Sequence, residues 1–292
     1  MSGPRPMFDP TVPMSVASNA LPAAKPGPSD KRASPQASLH PRVVQVASFN
    51  IQTGISTSSY RDYITGSWRH IWPSNKRLPN LNRIAHLLRP FDIVGLQEVD
   101  AGSSRSHNIV QTQYLAEHGG FAFWSHQVNR KLGNIALHSN GLLSRIRPDL
   151  VHDYKLPGLP GRGALLARFG KNPETALYLC ILHLALGRRA RLRQIGFISD
   201  LIGNFQNVIL MGDLNCEPDS PELNLLTAST QLCDPMSDIK TFPSWRPQKM
   251  LDHILVTPSL IATNIRVLNF ACSDHLPLAM DVQLPEDILV SI

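Results

Sequence analysis

Short apolar runs rich in β-forming residues follow one another from residue 43 to residue 284, and amphipathic stretches separate them. Such runs are typical of buried β-strands. Helices are predicted where apolar residues recur at helical spacing before Pro90, and again over 188–203. Strands are predicted at 43–50, 92–98, 164–169, 175–184, 207–213, 250–256 and 277–284. Strands mixed with helices through one uninterrupted apolar body predict a single α/β or α+β domain of about 250 residues.

The first 42 residues have a different composition. They hold nine of the 24 prolines, spaced mainly by Ser and Ala, and show no period of a helix or strand. We therefore predict a disordered tail at 1–42 and a folded domain at 43–292. The tail contains no apolar run typical of a secretory signal, and its two aspartates and many prolines disfavour a transit peptide.

Neither the cysteines nor the hydropathy indicate an exported or membrane-spanning chain. The four cysteines lack CxxC spacing and lie in or beside apolar segments, so packed, reduced thiols are expected. No run of about 18 apolar residues is present, which excludes a membrane-spanning helix. We expect a cytoplasmic protein. The net charge of +6 would favour a polyanionic partner, but half of it falls on the tail and so says little about a substrate.

Polar residues stand where the predicted strands end. Asn50 closes the first strand, where an asparagine is most often a turn former. Glu98 ends a buried strand, so its carboxylate has lost hydration and needs a cation or hydrogen-bond donors to stay ionised. A divalent ion with oxygen ligands and a buried salt bridge both meet that need.

Asp213 and Asn215 follow a later apolar run. Strand alternation directs both side chains to the same face, where a carboxylate and an amide can converge on one ligand. The alternative is a strand-terminating turn, because both residue types are common there. Gly212 favours a site, since it lets other groups approach closely.

Two Asp-His dipeptides, Asp252-His253 and Asp274-His275, lie near the C-terminal strands. An aspartate that accepts from one imidazole nitrogen raises the basicity of the ring and leaves the other nitrogen for a phosphate or a water. Because neighbouring side chains on a strand point apart, we expect each dipeptide to divide its roles between two partners. His183 ends another apolar run and is either packed or functional.

Taken in order, six segments resemble the motifs of the endonuclease/exonuclease/phosphatase superfamily of metal-dependent phosphoesterases. They are Phe49-Asn50, Leu96-Gln97-Glu98, His183-Leu184, Gly212-Asp213-Leu214-Asn215, Leu251-Asp252-His253 and Ser273-Asp274-His275. The resemblance covers 43–284, and the chain looks most like compact bacterial members that carry a Trp-Arg-His segment, here 68–70, and a Phe-Pro-Ser-Trp-Arg-Pro segment, here 242–247. It implies a four-layer α/β/β/α sandwich with two packed mixed β-sheets, and a catalytic domain at 43–292 with its site at one end.

The resemblance also implies a metal site. Glu98 is similar to the principal Mg²⁺ ligand, and Asn50 and Asp274 to residues close to the metal or its waters. Mn²⁺ is an expected substitute. Abasic-site endonucleases carry an acidic residue where this chain has Gln52, so we expect one metal ion.

The remaining matched residues take catalytic roles in the resemblance. Asp213 is similar to the residue that aligns or deprotonates the attacking water, and Asn215 to the one that holds a phosphoryl oxygen. His275 resembles the phosphate-contacting histidine, oriented by Asp252 from another strand. His183 resembles a second histidine that hydrogen-bonds the phosphate or helps to protonate the leaving oxygen.

Cations and aromatic residues alternate in the long segment 53–79, and several arginines follow His183. They are suited to nucleic-acid bases and phosphates or to a lipid headgroup, while the alternative is that they pack the loop or face solvent. The substrate-binding candidates are Arg69, Trp72, Arg188 and Arg191.

Three functions remain open at this point. The first is a monomeric, Mg²⁺-dependent hydrolase of a phosphodiester in a nucleic acid or nucleotide, of the endonuclease or exonuclease type. The second is a phosphodiesterase or phosphatase that acts on a phospholipid or another phosphorylated headgroup. The third is a catalytically inactive binding module.

Overall fold

The structure is a computed structural model that describes residues 42–55, 77–133, 135–158, 160–236 and 239–288. Within these ranges, eleven strands form one sheet of six strands and one of five. Apart from Arg42, the predicted tail lies outside the described residues.

The six-stranded sheet is mixed. Its strands are β1 (Val43–Asn50), β2 (Ile93–Asp100), β3 (Phe123–Leu132), β4 (Ala136–Ser144), β10 (Ile261–Val267) and β11 (Leu278–Gln283). Their order is β10-β11-β1-β2-β4-β3. The pair β1 and β2 is parallel, and the other neighbours are antiparallel.

The five-stranded sheet is also mixed. Its strands are β5 (Leu150–Lys155), β6 (Gly163–Phe169), β7 (Leu177–His183), β8 (Asn207–Asp213) and β9 (Asp252–Val256), and they are ordered as numbered. The pair β7 and β8 is parallel, and the other neighbours are antiparallel.

Helices cover the outer face of each sheet. They are α1 (Arg77–Leu88), α2 (Gln111–Gly119), α3 (Arg188–Ile202) and α4 (Pro221–Ser229). Leu81 of α1 and Leu115 of α2 pack on the six-stranded sheet, while Ile195 of α3 and Leu226 of α4 pack on the five-stranded sheet. A third apolar layer fills the space between the sheets. The predicted α/β/β/α sandwich is therefore confirmed.

The thiols are only partly as expected. Cys180, Cys216 and Cys272 are buried and free, but Cys233 is free and exposed rather than packed. In the part of the chain that the structure describes, no helix is both long and apolar enough to cross a membrane.

Candidate active site

Three candidate residues form one row across the five-stranded sheet. In its register His183 of β7 pairs with Asp213 of β8, and Asp213 pairs with Asp252 of β9. Residues two positions away on these strands, such as Ile181 and Met211, lie in the apolar layer between the sheets. Since side chains alternate along a strand, all three polar residues face the other sheet.

The six-stranded sheet supplies Asn50 and Glu98. Asn50 shares its face of β1 with Val44 and Val46, which lie between the sheets. Leu96, two positions before Glu98, packs on the helices, so strict alternation would turn Glu98 to the outer face of the sheet. Glu98 breaks this alternation.

A bulge in β2 aims Glu98 at the site. The register with β4 shifts between Leu96 and Val99, and Glu98 has the left-handed φ of 56°. This conformation costs energy for a residue with a side chain, and such bulges re-aim side chains next to active sites. Glu98 Oε1 consequently lies 4.0 Å from His183 Nε2, with the carboxylate side chain 30 % exposed.

The Asp213 carboxylate is the centre of the cluster. Its Oδ2 accepts a hydrogen bond from Asn50 Nδ2 at 3.1 Å and lies 3.4 Å from His183 Nε2 and 3.7 Å from His275 Nε2. Its Oδ1 accepts from the backbone N–H of Asn215 at 3.0 Å. One buried carboxylate therefore contacts an amide and two imidazoles at once.

Asp252 of β9 is hydrogen-bonded to His275, which lies in the segment before β11. His275 Nδ1 donates to Asp252 Oδ2 at 2.7 Å, and Thr241 Oγ1 donates to the same oxygen at 2.6 Å. Burial alone would lower the pKa of His275, but Asp252 and Asp213 raise it well above its usual value. His275 is therefore an imidazolium with its Nε2–H directed at Asp213.

His183 is the opposite case. Burial lowers its pKa well below the usual value, and the cations Arg162 and His275 lower it further. The two histidines on either side of Asp213 thus differ in charge: His183 is neutral and His275 is positive.

His253, the neighbour of Asp252, faces the other way. Its Nδ1 donates to Asp234 Oδ2 at 3.1 Å and its Nε2 donates to the carbonyl of Cys216 at 2.9 Å. The dipeptide Asp252-His253 thus divides its roles between the two faces of β9, which confirms the expectation from strand alternation.

The carboxylates fit a divalent cation. Burial raises the pKa of Glu98, and the Asp213 charge raises it further. Burial also raises the pKa of Asp274 to about 6, with His275 opposing the shift and Glu98 adding to it. Buried oxygen donors that repel one another are the ligands that a hard cation such as Mg²⁺ prefers.

A second grouping is less suited to a metal. Asp213, Asp252 and His275 place donor atoms within 4.8 Å of one another. However, His275 Nδ1 and Asp252 Oδ2 are hydrogen-bonded to each other. The fit to a metal therefore rests on Glu98 and Asp274 with the Asn50 amide.

Asn215 lies beyond β8, which ends at Asp213. The expectation that strand alternation turns Asp213 and Asn215 to one face is wrong, because Asn215 has a left-handed φ of 52° in the turn after the strand. Its Nδ2 donates to the carbonyl of Leu184 at 3.0 Å. The preceding Gly212 allows the close approach that its sequence position suggested: a β-carbon there would lie 2.0 Å from the carbonyl oxygen of Leu182.

The substrate-binding candidates have different positions. Arg191 is engaged within the protein: its Nη2 lies 2.6 Å from Glu222 Oε1, and its Nη1 donates to the carbonyls of Ala185 and Leu186. A role for Arg191 in binding the substrate stays a prediction. Arg188 is exposed at the first residue of α3. Arg69 and Trp72 lie outside the described residues.

Two residues at the site were missed from the sequence. Thr241 bonds Asp252, and it directly precedes the Phe-Pro-Ser-Trp-Arg-Pro segment already noted. Arg162 lies between two glycines just before β6, and this Gly-Arg-Gly pattern is the feature of the sequence that could have identified it. Burial lowers the pKa of Arg162, and the charges of Glu98 and Asp213 oppose that shift.

The sequence model of the Endonuclease/Exonuclease/phosphatase family matches residues 47–275. This range contains every matched motif and the whole cluster described above. Among curated proteins, no significant match to this chain was found.

Solved structures share the fold. A mannosyl-6-phosphatase from Bacteroides thetaiotaomicron is 18 % identical, with a TM-score of 0.61 over 82 % of this chain and 99 % of that one. The human Nocturnin catalytic domain with bound sulfate is also 18 % identical, with a TM-score of 0.61 over 84 % and 94 %. ANGEL2, a 2',3'-cyclic phosphatase, is 15 % identical, with a TM-score of 0.62 over 84 % and 96 %.

Proposed function

The chain belongs to the endonuclease/exonuclease/phosphatase family and is a hydrolase of phosphoester bonds, and from this premise we propose that it hydrolyses a phosphodiester of a nucleic acid or nucleotide with Mg²⁺ as its cofactor. The observation that carries the proposal is the contact of Asp213 with a neutral and a positive imidazole beside further buried carboxylates.

Asp213 is the proposed base for the attacking water. Burial raises the pKa of its carboxyl, while the His275 charge opposes the shift, so the group is more basic than an exposed aspartate. The Asn215 N–H fixes Oδ1 and leaves Oδ2 turned to the cluster. Asp213 can therefore align a water molecule and accept its proton at Oδ2.

The donors around Asp213 would hold the phosphoryl group. His275 offers a charged Nε2–H that Asp252 keeps in place, and His183 offers an N–H without adding charge. Hydrogen bonds from preorganised donors to a developing phosphorane are worth on the order of 10²-fold each. The Asn215 and Asn50 amides are the expected neutral donors.

Glu98 and Asp274, with Asn50, are the proposed holders of Mg²⁺, because the two carboxylates have lost much of their hydration and their charges repel each other. When bound, the ion would neutralise phosphate charge and polarise a phosphoryl oxygen. The bulge at Glu98 keeps its carboxylate on the inner face for this purpose.

A phosphomonoesterase is the second candidate. Arg162 adds a cation near Glu98 and Asp213, which suits the second negative charge of a phosphate monoester. The solved structures with the same fold include proteins described as a mannosyl-6-phosphatase and a 2',3'-cyclic phosphatase.

The deciding experiment is a substrate screen with Mg²⁺, with Mn²⁺ and with EDTA. The substrates are plasmid DNA, single-stranded DNA and RNA, an abasic duplex, bis-p-nitrophenyl phosphate, p-nitrophenyl phosphate and phosphatidylcholine or sphingomyelin vesicles. We expect EDTA-sensitive turnover of the diesters, abolished by Asp213→Asn and retained in Asp200→Asn, which makes the same change on an exposed face of α3.

The other outcomes identify the competing functions. Turnover confined to p-nitrophenyl phosphate would favour the monoesterase, and turnover confined to vesicles would favour the lipid headgroup. No turnover of any substrate under any metal condition would contradict the proposal and favour a binding module.

A further inference from the structure

Three inward-facing polar residues form a row near the site in the six-stranded sheet. In the register Asp100 of β2 pairs with His138 of β4, and His138 pairs with Arg130 of β3. Paired residues of antiparallel strands point to the same face, so Arg130 lies on the face that carries Asp100.

Arg130 is the member of this row whose charge is neither paired nor lost. Asp100 is bonded to Arg105 at 2.5 Å, so its charge is compensated. Burial and the Arg105 charge lower the pKa of His138 to about 4, so this ring is neutral. The row therefore offers no anion to Arg130.

Arg130 extends toward the five-stranded sheet and meets the loop before β6. A β-carbon built on Gly161 would lie 3.2 Å from Arg130 Cδ, so the stem of this arginine crosses Gly161. Arg162 is the next residue along the chain. A side chain at Gly161 would make a tight contact with Arg130, and this glycine has a φ of 114° that disfavours a side chain in any case.

The Arg130 stem packs on Gly161 beside Arg162, and the Arg130 charge is near enough to lower the pKa of Arg162, so two cations lie close together at the edge of the site. No ion pair joins either of them to another residue in the described ranges. Arg130 is exposed, whereas Arg162 is half-buried. Arg162 lies close enough to Glu98 and Asp213 for their charges to raise its pKa against the effect of burial. Two like charges held side by side repel each other, and an anion between them relieves that repulsion.

We propose that Arg130 and Arg162 form a subsite for a second phosphate group of the substrate, on the β3 side of the phosphate that is hydrolysed. The inference rests on the proposed function and names its substrate class: a molecule with two phosphates rather than a lone phosphodiester. Phosphate is the fitting anion, because its oxygens match the planar donors of two guanidiniums and its charge of up to −2 matches theirs.

Dinucleotides test the subsite. The probe pair is thymidylyl-thymidine, which has one phosphate, and the same dinucleotide with an added 5′- or 3′-phosphate. The quantity measured is the ratio of kcat/KM for the two-phosphate substrate to kcat/KM for the one-phosphate substrate.

We expect the wild-type chain to prefer a two-phosphate substrate and Arg130→Gln to lower the ratio about tenfold, the effect of one charged hydrogen-bond pair. Arg130→Lys, which keeps the charge but loses the planar donors, should give an intermediate ratio. The matched control is Lys131→Gln, because Lys131 is exposed and its side chain points to the opposite face of β3.

An unchanged ratio in Arg130→Gln would overturn the inference, whatever its absolute activity. If the wild-type chain hydrolyses neither dinucleotide, the substrate screen above decides the proposed function, and binding then tests the subsite alone. Calorimetric titration should show tighter binding of fructose 1,6-bisphosphate than of fructose 6-phosphate in wild type and no such preference in Arg130→Gln. A preference for the two-phosphate molecule in both kinds of probe assigns the subsite to bisphosphates in general. A preference among the dinucleotides alone assigns it to a nucleic-acid backbone. No preference in either kind of probe overturns the inference.

Discussion

Glu98 and Asp100 lie two positions apart on β2, both with the side chain turned between the sheets, yet their surroundings are opposite. Asp100 accepts hydrogen bonds from the backbone N–H of Ser103 at 2.7 Å, from Ser106 Oγ at 2.8 Å and from Arg105 Nε at 2.5 Å. Although burial alone would raise its pKa, the bonds from Ser103 and Arg105 lower it. Asp100 is thus a buried carboxylate whose charge is fully compensated by the protein.

Glu98, Asp213 and Asp274 have fewer donors and more like charges around them. Burial raises the pKa of each carboxyl group, and carboxylate neighbours add to the shift. Asp100 is compensated by the protein itself, whereas its near neighbour Glu98 has few donors. Glu98 is therefore the carboxylate of this strand for which we propose a cation from outside.

The strongest expected effect is on the uncompensated cluster. Asp213→Ala removes the proposed base and one oxygen donor, and we expect kcat for bis-p-nitrophenyl phosphate to fall by about 10³-fold or more. The free energy of unfolding should change little, because the lost hydrogen bonds from Asn50 and Asn215 are offset by the removal of a carboxylate that repels Glu98 and Asp252. Turnover in Mg²⁺ and urea denaturation measure the two quantities.

Asp200→Ala is the control for that variant, since it deletes an exposed carboxylate from α3. Activity within tenfold of wild type in Asp213→Ala would contradict the assigned role. A large loss of stability in that variant would place Asp213 with Asp100 as a structural residue.

The compensated region should respond in stability rather than in chemistry. Arg105→Met leaves the Asp100 carboxylate buried without its cation, and breaking such a pair costs about 3–5 kcal/mol. Urea denaturation measures the loss. The double variant Arg105→Met with Asp100→Asn should recover part of the stability, because the uncompensated charge is then gone. Equal losses in the single and double variants would show that packing of Arg105, rather than its charge, stabilises this region.

The sequence predicted the buried strands and the candidate site well, for a physical reason. Strands β1, β7, β8, β9 and β11 are covered on both faces, so they appear as continuous apolar runs that end at polar residues. Their shared register then places His183, Asp213 and Asp252 side by side. The six motifs are brought to one end of the sandwich, whereas their individual roles remain predictions.

The missed strands β3, β4, β5 and β10 lack that pattern. β5 and β10 are edge strands with exposed residues, and β3 and β4 carry inward polar residues such as Gln127 and Asn140. Asn140 Nδ2 donates to the carbonyl of Gly163 at 2.9 Å, so amides rather than apolar groups join the sheets there. The bulge that turns Glu98 inward has no signal in the residues around it, because it depends on pairing with β4.

Divalent metal should distinguish the two carboxylate regions without any measurement of activity. A ligand that binds only the folded state at 100 times its Kd stabilises by about 2.7 kcal/mol, which raises the Tm by several degrees. We expect millimolar Mg²⁺ to raise the Tm of wild type but not of Glu98→Gln. Asp153→Asn, a control on β5 with the same loss of charge, should retain the rise. An equal rise in Glu98→Gln would separate Glu98 from the metal.

The smallest expected effect concerns His253, whose two nitrogens both donate, to Asp234 and to the carbonyl of Cys216. Only the charged ring can donate from both atoms. Burial alone would lower its pKa, but the bond from the ring to Asp234 raises it above the usual value of 6.5. The charged ring therefore stabilises the fold fully below pH 6.5 and progressively less as the pH rises through the raised folded-state pKa.

His253→Asn keeps one donor and cannot titrate, so it separates this contribution from that of His275, whose pKa is also raised. We expect the variant to be less stable than wild type by about 1–2 kcal/mol at pH 6. The difference should shrink toward alkaline pH, because only the wild-type chain loses a charged ring at this position. Urea denaturation across pH 6 to 9 measures it. A difference that stays constant with pH would mean that the neutral ring satisfies both partners, and His253 would then be a packing residue rather than a second compensated charge beside the site.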